Sequence, residues 1–328
     1  MVDMLAIRLH EHGGPEMLRP ERIPVPTPGP GQALVRIRFT GLNFIETYQR
    51  TGAYGVPLPA TLGGEAAGTV EDVGPDVAAV RAGDRVAWAG GLGAYAEFAA
   101  VPADRLVPLP DGVSTRVGAA VKIQGMSAHY LSSSVRPLGE GDRCLVHAAA
   151  GGVGLLLVQM AKRRGAWVVG TAGTDEKAEL ARAAGADEVI VYTRQDFAAE
   201  VLRLTDGQGV HVVYDSVGRA TFLPGLDVLS PRGSMVLFGQ SSGAVEPFDP
   251  QLLSRKGSLF LTRPTLVHYI AKRDELLRRA EELFAWIEAG ELAVRIGAEF
   301  PLADAGAAHR ALEGRETTGK VLLQVSDD

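Results

Sequence analysis

Along residues 1 to about 112 the hydrophobic positions come in short alternating runs. Val35, Ile37 and Phe39 are apolar, and Arg36 and Arg38 interrupt them. This period of two is expected of a half-buried strand. Proline and glycine break the pattern in PVPTPGPGQ (24–32) and YGVPLPATLGG (54–64). Gly68 to Val73 reads as a further strand, and GPDVAAVRAGDRVAW (74–88) as a turn delivering the next. No long helical stretch separates these strands, so the segment predicts an antiparallel, barrel-like β domain with loops at its mouth.

From about residue 113 the period changes. The apolar run RCLVHAAAGG (143–152) ends in glycines, and GVGLLLVQMAKRRG (152–165) is helical, with basic residues in its last turn and Gly165 to stop it. Strand AWVVGTA, helix DEKAELARAAG, strand DEVIVY, helix QDFAAEVLRLT, strand VHVVYDSVG, a helix near 219–229 and strand GSMVLFG follow in order. Strands separated by helical stretches predict right-handed βαβ crossovers and a parallel sheet, with SLFLTRP (258–264) as its last strand. Two amphipathic helices (272–289 and 303–313) and a strand at 320–325 close the chain. They are expected to return to the first domain. The organisation predicted is a discontinuous domain of residues 1–112 and 265–328 around a second domain of 113–264.

Composition narrows the function. The 328 residues, 46% hydrophobic and 22% charged, suit two domains with cores of their own. A net charge of -6 argues against a surface built for polyanions. The single cysteine, Cys144, excludes an intrachain disulfide framework and any multi-cysteine metal site. The opening MVDMLAIRLHEHGG lacks the basic flank and apolar run of a signal peptide, and no stretch reaches the roughly 20 apolar residues of a membrane span. A cytoplasmic protein is expected. Arginine supplies all but six of the basic residues, a bias of GC-rich genomes or of hot habitats.

The chemistry-bearing motif is strand–AAAGGVG–helix at 148–154. Glycines at the end of a parallel strand let a pyrophosphate approach the backbone, and the helix behind them offers free amides and its positive dipole end. Gly151, Gly152 and Val153 are therefore candidate cofactor contacts in a looser relative of G-x-G-x-x-G. An NAD site usually carries an acid at the end of the second strand. Here that strand ends Gly170–Thr171–Ala172–Gly173–Thr174. Gly173 leaves room for a 2′-phosphate, Thr174 can donate to it, and Lys177 reaches it from one helical turn on. The preferred cofactor is NADPH. Asp175 and Glu176 read as first-turn acids that complement the helix dipole.

Further motifs fit one family. GLNFIETYQRTGAY (41–54), LGGEAAGTVEDVG (62–74), AGDRV (82–86), HAAAGGVG (147–154), GTAGTDEK (170–177), YDSVG (214–218), FGQSSGAV (238–245) and TRP (262–264) spread over most of the chain. Together they resemble the quinone oxidoreductase (zeta-crystallin-like) branch of the medium-chain dehydrogenase/reductase superfamily. The resemblance implies an α/β protein with a GroES-like β-barrel catalytic domain and a Rossmann doubly wound parallel-sheet domain. It also implies a homodimer joined sheet edge to sheet edge. It places Asn43 and Tyr48, on the first loop after a strand, beside the nicotinamide, where an amide and a phenol hold the carboxamide or polarise a carbonyl. Tyr192 is implied near the 2′-phosphate. Ser216 and Phe238–Gly239–Gln240–Ser241 fall at strand ends where such sheets bind ligands, and Arg263 and Arg315 resemble basic positions near the cofactor. Where zinc-dependent relatives carry Gly-His-Glu, this chain has Gly63–Gly64–Glu65. Asn43 stands in the place of the first zinc cysteine, so no metal is expected. Some members carry lysine just before a glycine in the 120s; here Gln124–Gly125 stand there and Lys122 lies two positions earlier.

The activity implied is zinc-independent NADPH:quinone oxidoreduction of quinones or similar conjugated carbonyls. A rival is an NADPH-dependent enoyl or alkenal double-bond reductase, for which a proton donor such as Tyr48 would serve. Binding of AU-rich RNA is the non-enzymatic alternative. The negative charge, and the lack of aromatics interleaved with a basic stripe, disfavour it.

Overall fold

The computed structural model describes residues 2–326. β1 (Asp3–Leu9) pairs antiparallel with β2 (Leu18–Pro24). The alternation at 35–39 belongs to β3 (Gln32–Leu42), which buries Val35, Ile37 and Phe39 and exposes Arg36. α1 (Phe44–Arg50) follows directly, and β4 (Ala60–Thr61) adds a third strand beside β1. β5 (Glu65–Val73), β6 (Arg85–Ala89), β7 (Phe98–Pro102) and β8 (Val107–Pro108) form the larger sheet: β3 pairs with β5 and β7, β5 with β6, and β6 with β8, all antiparallel. Between β4 and β5 the chain passes so close to Tyr95 that a Cβ on Gly63, whose φ is +95°, would lie 2.5 Å from the ring. Only glycine serves there. Val35, Ile37, Val86, Trp88, Val101 and Leu106 form the core of this sheet. α2 (Thr115–Tyr130) comes next, with a π-helical turn (Leu131–Val135) at its end.

The second unit alternates strand and helix as its sequence predicts. In chain order it holds β9 (Arg143–Val146), α3 (Gly152–Arg163), β10 (Trp167–Ala172), α4 (Asp175–Ala183), β11 (Glu188–Val191) and α5 (Phe197–Leu204). Then come β12 (Val210–Asp215), α6 (Phe222–Asp227), β13 (Leu229–Leu237), α7 (Gln251–Arg255), β14 (Phe260–Thr262) and α8 (Leu266–Tyr269). The parallel order is β11-β10-β9-β12-β13-β14. Its central strands are buried almost continuously, as expected where helices cover both faces. The chain works outward from β9 to β11, then returns to place β12 on the other side of β9. Such a reversal opens a crevice at the carboxyl ends of the strands.

α9 (Arg273–Glu288), β15 (Ile296–Pro301), α10 (Ala305–Glu313) and β16 (Lys320–Gln324) complete the first unit. β16 lies antiparallel to β3, with Val321 opposite Leu42, and parallel to β15. By packing, the first unit runs to Met126 and resumes at Ile270, and the second is Ser127–Tyr269. The joins thus fall later in sequence than the change of pattern at 112/113 and 264/265. The start of α2 explains the first, since Gly118 packs on Leu109 and Ala67, and Gly125 faces Leu283 of α9. Among the described residues no helix is long and apolar enough to cross a membrane.

Candidate active site

In the second unit, the candidate cofactor residues other than Lys177, which is in the first turn of α4, follow the carboxyl end of a parallel strand. Gly151–Val153 follow β9, Gly173 and Thr174 follow β10, Tyr192 follows β11, Ser216 follows β12, Phe238–Ser241 follow β13 and Arg263 follows β14. The first loop is the tightest. Ala148 adopts a left-handed φ of 52°, a conformation that costs a non-glycine residue about 1 kcal/mol or more. Its carbonyl accepts from the Gly151 amide, and a Cβ on Gly154 would lie 2.3 Å from that same oxygen. The His147 ring and the Ala148 amide both bond to the Thr171 hydroxyl on β10, which holds the turn against its neighbour. α3 therefore begins at a bare backbone surface, and its first-turn amides have no preceding carbonyl to bond.

The second loop has the features of a 2′-phosphate seat. Thr174 caps α4 by accepting from the Lys177 amide, and the Tyr192 hydroxyl lies over Gly173, 2.8 Å from where a Cβ would be. Asp175 does not face this loop unopposed: Arg194 grips it through two bonds of 2.6 Å and holds its carboxyl below the usual range. The third and fourth loops are zipped together. Buried Asp215 accepts from the Val217 and Gly218 amides and from the Thr221 hydroxyl, which shapes the turn bearing Ser216. The Ser241 amide bonds to the Ser216 carbonyl, and a Cβ on Gly239 would strike that carbonyl at 2.6 Å.

In the first unit, Asn43 is the one-residue connection after β3, and Tyr48 lies not on a loop but on a helix. Asn43 is the N-cap residue of α1, and Tyr48 is on the helix, with Tyr54 at 5.1 Å and Phe44 at 6.2 Å between ring centres. The helix is specified by the reach-back of Glu46, whose carboxylate accepts from the amides of Asn43 (2.7 Å) and Gly64 (3.0 Å). Asn-x-x-Glu at 43–46 is the signal that could have found it. The Asn43 side chain is spent elsewhere. Its Nδ2 donates to Glu65 Oε1 at 2.8 Å, and its Oδ1 accepts from Lys320 Nζ at 2.9 Å and from Gln124 Nε2 at 3.2 Å. Lys320 also pairs with Glu65 Oε1, while Glu65 Oε2 accepts the Ile123 amide. Burial pushes the Lys320 ammonium down to about 7 against the pull of Glu46, and pushes the Glu46 carboxyl up.

Glu46, Glu65, Gln124 and Lys320 were not among the residues the sequence nominated for chemistry. A lysine opening the apolar strand KVLLQ was the available clue. Lys122 is elsewhere: its ammonium faces the Phe284 ring at 5.8 Å and has no hydrogen-bond partner among the described residues. Arg315 follows α10 in the first unit and is exposed.

Comparisons with known proteins bear on both units. Residues 29–111 match the alcohol dehydrogenase GroES-like domain, and residues 152–286 the zinc-binding dehydrogenase family. A quinone oxidoreductase of Pseudomonas aeruginosa is 46% identical over 97% of this chain and 98% of its own. A 2-haloacrylate reductase of a Burkholderia species is 41% identical over 98% of each. The structure of Escherichia coli quinone oxidoreductase complexed with NADPH superposes with a TM-score of 0.96, at 43% identity, over 98% of this chain and all of that one. The zinc in the second family's description requires thiolate, imidazole or carboxylate ligands. At Asn43 and Glu65 the side-chain oxygens are already bonded to an ammonium and to amides. Among the described residues no group of three or more His, Cys, Asp or Glu could hold a metal. The donor set does not fit zinc. The glycine cradle fits a dinucleotide pyrophosphate, and the second loop pairs its Asp175 with Arg194 and sets Lys177 in the first turn of α4.

Proposed function

We infer the function from one premise: the chain belongs to the quinone oxidoreductase branch of the medium-chain dehydrogenase/reductase superfamily. It is an NADPH-dependent oxidoreductase that reduces quinones or similarly conjugated carbonyls without zinc. The observation that carries the cofactor choice is the loop after β10, where Gly173, Thr174 and Lys177 stand together, Asp175 is engaged by Arg194, and Glu176 is turned to its own amide and the Thr174 hydroxyl. When bound, NADPH supplies the reducing electrons. The protein's part is to seat it: the amides at the start of α3 hold the pyrophosphate, Lys177 and Tyr192 hold the 2′-phosphate, and Ser216 and Phe238–Ser241 line the path onward. Arg263 and Arg315 are further cofactor contacts in this reading. Asn43 and Tyr48 orient the carbonyl partners.

NADPH oxidation assayed against ortho- and para-quinones tests the reading, and turnover with either is expected. Activity only with enoyl thioesters or haloacrylates would replace it with double-bond reduction, a reading supported by the Burkholderia relative. An RNA gel shift not competed by NADPH would favour the nucleic-acid alternative.

We also propose a homodimer. β14 is the edge of the parallel sheet and, among the described residues, pairs with β13 alone. It exposes Phe260 (64%) and Leu261 (37%), with Leu223 and Val267 also open on this unit. An unguarded apolar edge is suited to pairing with its own copy about a two-fold axis. Sedimentation should give a dimer for the wild type and a monomer for Phe260→Asp/Leu261→Arg. A monomeric wild type would refute the proposal.

A further inference from the structure

Asn43 is the only asparagine in the chain. Elsewhere the sequence does without this residue, and the place where it occurs is surrounded by groups whose hydrogen-bonding sense is fixed. A lysine ammonium only donates, and a carboxylate in this pairing only accepts. The Lys320 Nζ therefore demands the oxygen of the Asn43 amide, and Glu65 Oε1 demands its nitrogen. Flipping the amide would set NH2 against the ammonium and oxygen against the carboxylate, two repulsive contacts in a buried site. Gln124 adds a second donor to the same oxygen. The arrangement is close-fitting: a Cβ on Gly41 would lie 2.3 Å from Glu65 Oε1 and 2.6 Å from Lys320 Cε. Lys320 and Glu65 are 1% and 0% exposed, and Lys320 reaches Asn43 because β16 lies antiparallel beside the end of β3.

Counting what the amide has left gives its chemistry. The oxygen holds two donors, and one N–H is given to Glu65. The second N–H has no acceptor among the described residues, and Asn43 is 8% exposed. We propose that Lys320 is a positioning residue whose ammonium, held by Glu65, fixes the Asn43 amide as a pure donor, so that Asn43 grips a carbonyl oxygen of the nicotinamide carboxamide or of the acceptor. This inference rests on the proposed function for the identity of that carbonyl. The lysine, when protonated, supplies a positive charge between Asn43 and Glu65, the two positions where zinc-dependent relatives are expected to carry metal-site residues.

The single asparagine makes the test direct. Protein labelled with nitrogen-15 in asparagine gives one side-chain amide pair by NMR, and the proton bonded to Glu65 should lie well downfield of the other. Adding NADPH alone should move the second proton if the cofactor carbonyl is the acceptor. Movement only when quinone joins NADP+ would assign the acceptor's carbonyl. No movement in either case overturns the proposal. Lys320→Met combined with Glu65→Gln removes the ion pair as a unit and leaves Glu46, also buried, to the Asn43 and Gly64 amides that it accepts from. Its two protons should converge, and the affinity for NADPH or the KM for quinone should worsen by about tenfold, the worth of one misdirected hydrogen bond. Lys320→Arg keeps the charge and should recover much of the loss. A paired variant with the wild-type spectrum and unchanged constants would refute the role of Lys320. Failure of quinone turnover in a wild type whose amide signals behave as described would instead overturn the functional reading alone.

Discussion

Replacing Lys122 with methionine should stabilise the protein by about 2–4 kcal/mol near neutral pH. The lysine is 1% exposed, its ammonium has no hydrogen-bond partner among the described residues, and burial pushes it from 10.5 down to about 7. Each unit of such a shift corresponds to about 1.4 kcal/mol, so the full cost of the buried charge approaches 5 kcal/mol. The attraction to the Phe284 ring offsets about 1 kcal/mol of that, and methionine loses it. Methionine fills the same slot without a charge. The sign with pH follows from linkage. Between about 7 and 10.5 the unfolded chain holds a proton that the folded one has released, so stability rises with pH across that window. Below 7 the cost is complete, and above 10.5 it vanishes. Urea unfolding at pH 6, 8 and 9.5 should therefore show the advantage of Lys122→Met shrinking as pH rises. The wild type should keep part of its upward slope in the variant, because Lys320 is depressed into the same range. A variant less stable than wild type at pH 6 would mean that the ammonium has a partner worth more than its burial costs.

The two units were legible to different depths. In the second, the parallel strands and the helices α3 to α5 announce themselves locally, through apolar runs and amphipathic stretches, whereas the short α7 and α8 do not. The topology leaves loops at the strand ends where such sheets bind ligands, so Gly151 and Gly173 are nominated from motif, and Ser216 and Phe238 with the help of the family resemblance. The first unit hides its chemistry because the bonds that define it are distant in sequence. Asn43 meets Lys320 across 277 positions and Glu65 across 22. Nothing in GLNFIETYQ says that its asparagine is aimed by a lysine on the last strand. α1 was missed for a different reason: seven residues give too little periodicity to distinguish a helix from a turn. Asp175 illustrates the limit within the legible unit. A carboxylate beside the proposed 2′-phosphate seat reads as harmless from its place in the first turn of a helix, but the neutralisation by Arg194 depends on the loop after β11 lying against the start of α4.

That pairing shapes the last prediction: Lys177→Glu should raise the KM for NADPH about a hundredfold and change that for NADH by no more than about threefold. The wild-type loop balances Lys177 and Arg194 against Asp175 and Glu176, and the dipole at the start of α4 adds positive potential. In the proposed function a dianionic 2′-phosphate would be held there by a charge-assisted bond worth about 1.5–3 kcal/mol. Reversing Lys177 removes that bond and adds a third carboxylate, so a loss near 3 kcal/mol is expected, or about a hundredfold. NADH has a hydroxyl in place of the phosphate and meets no comparable repulsion. Arg194→Ser is the companion variant. It leaves Lys177 intact but frees Asp175 to face the phosphate, so NADPH should weaken by about three- to tenfold, again with NADH nearly unchanged. The neutral Arg194→Ser/Asp175→Ser pair should restore most of the NADPH affinity, since the guanidinium is then no longer required to restrain an acid. Equal losses for both dinucleotides in Lys177→Glu would mean that this loop does not read the extra phosphate, and the preference for NADPH would then need another origin.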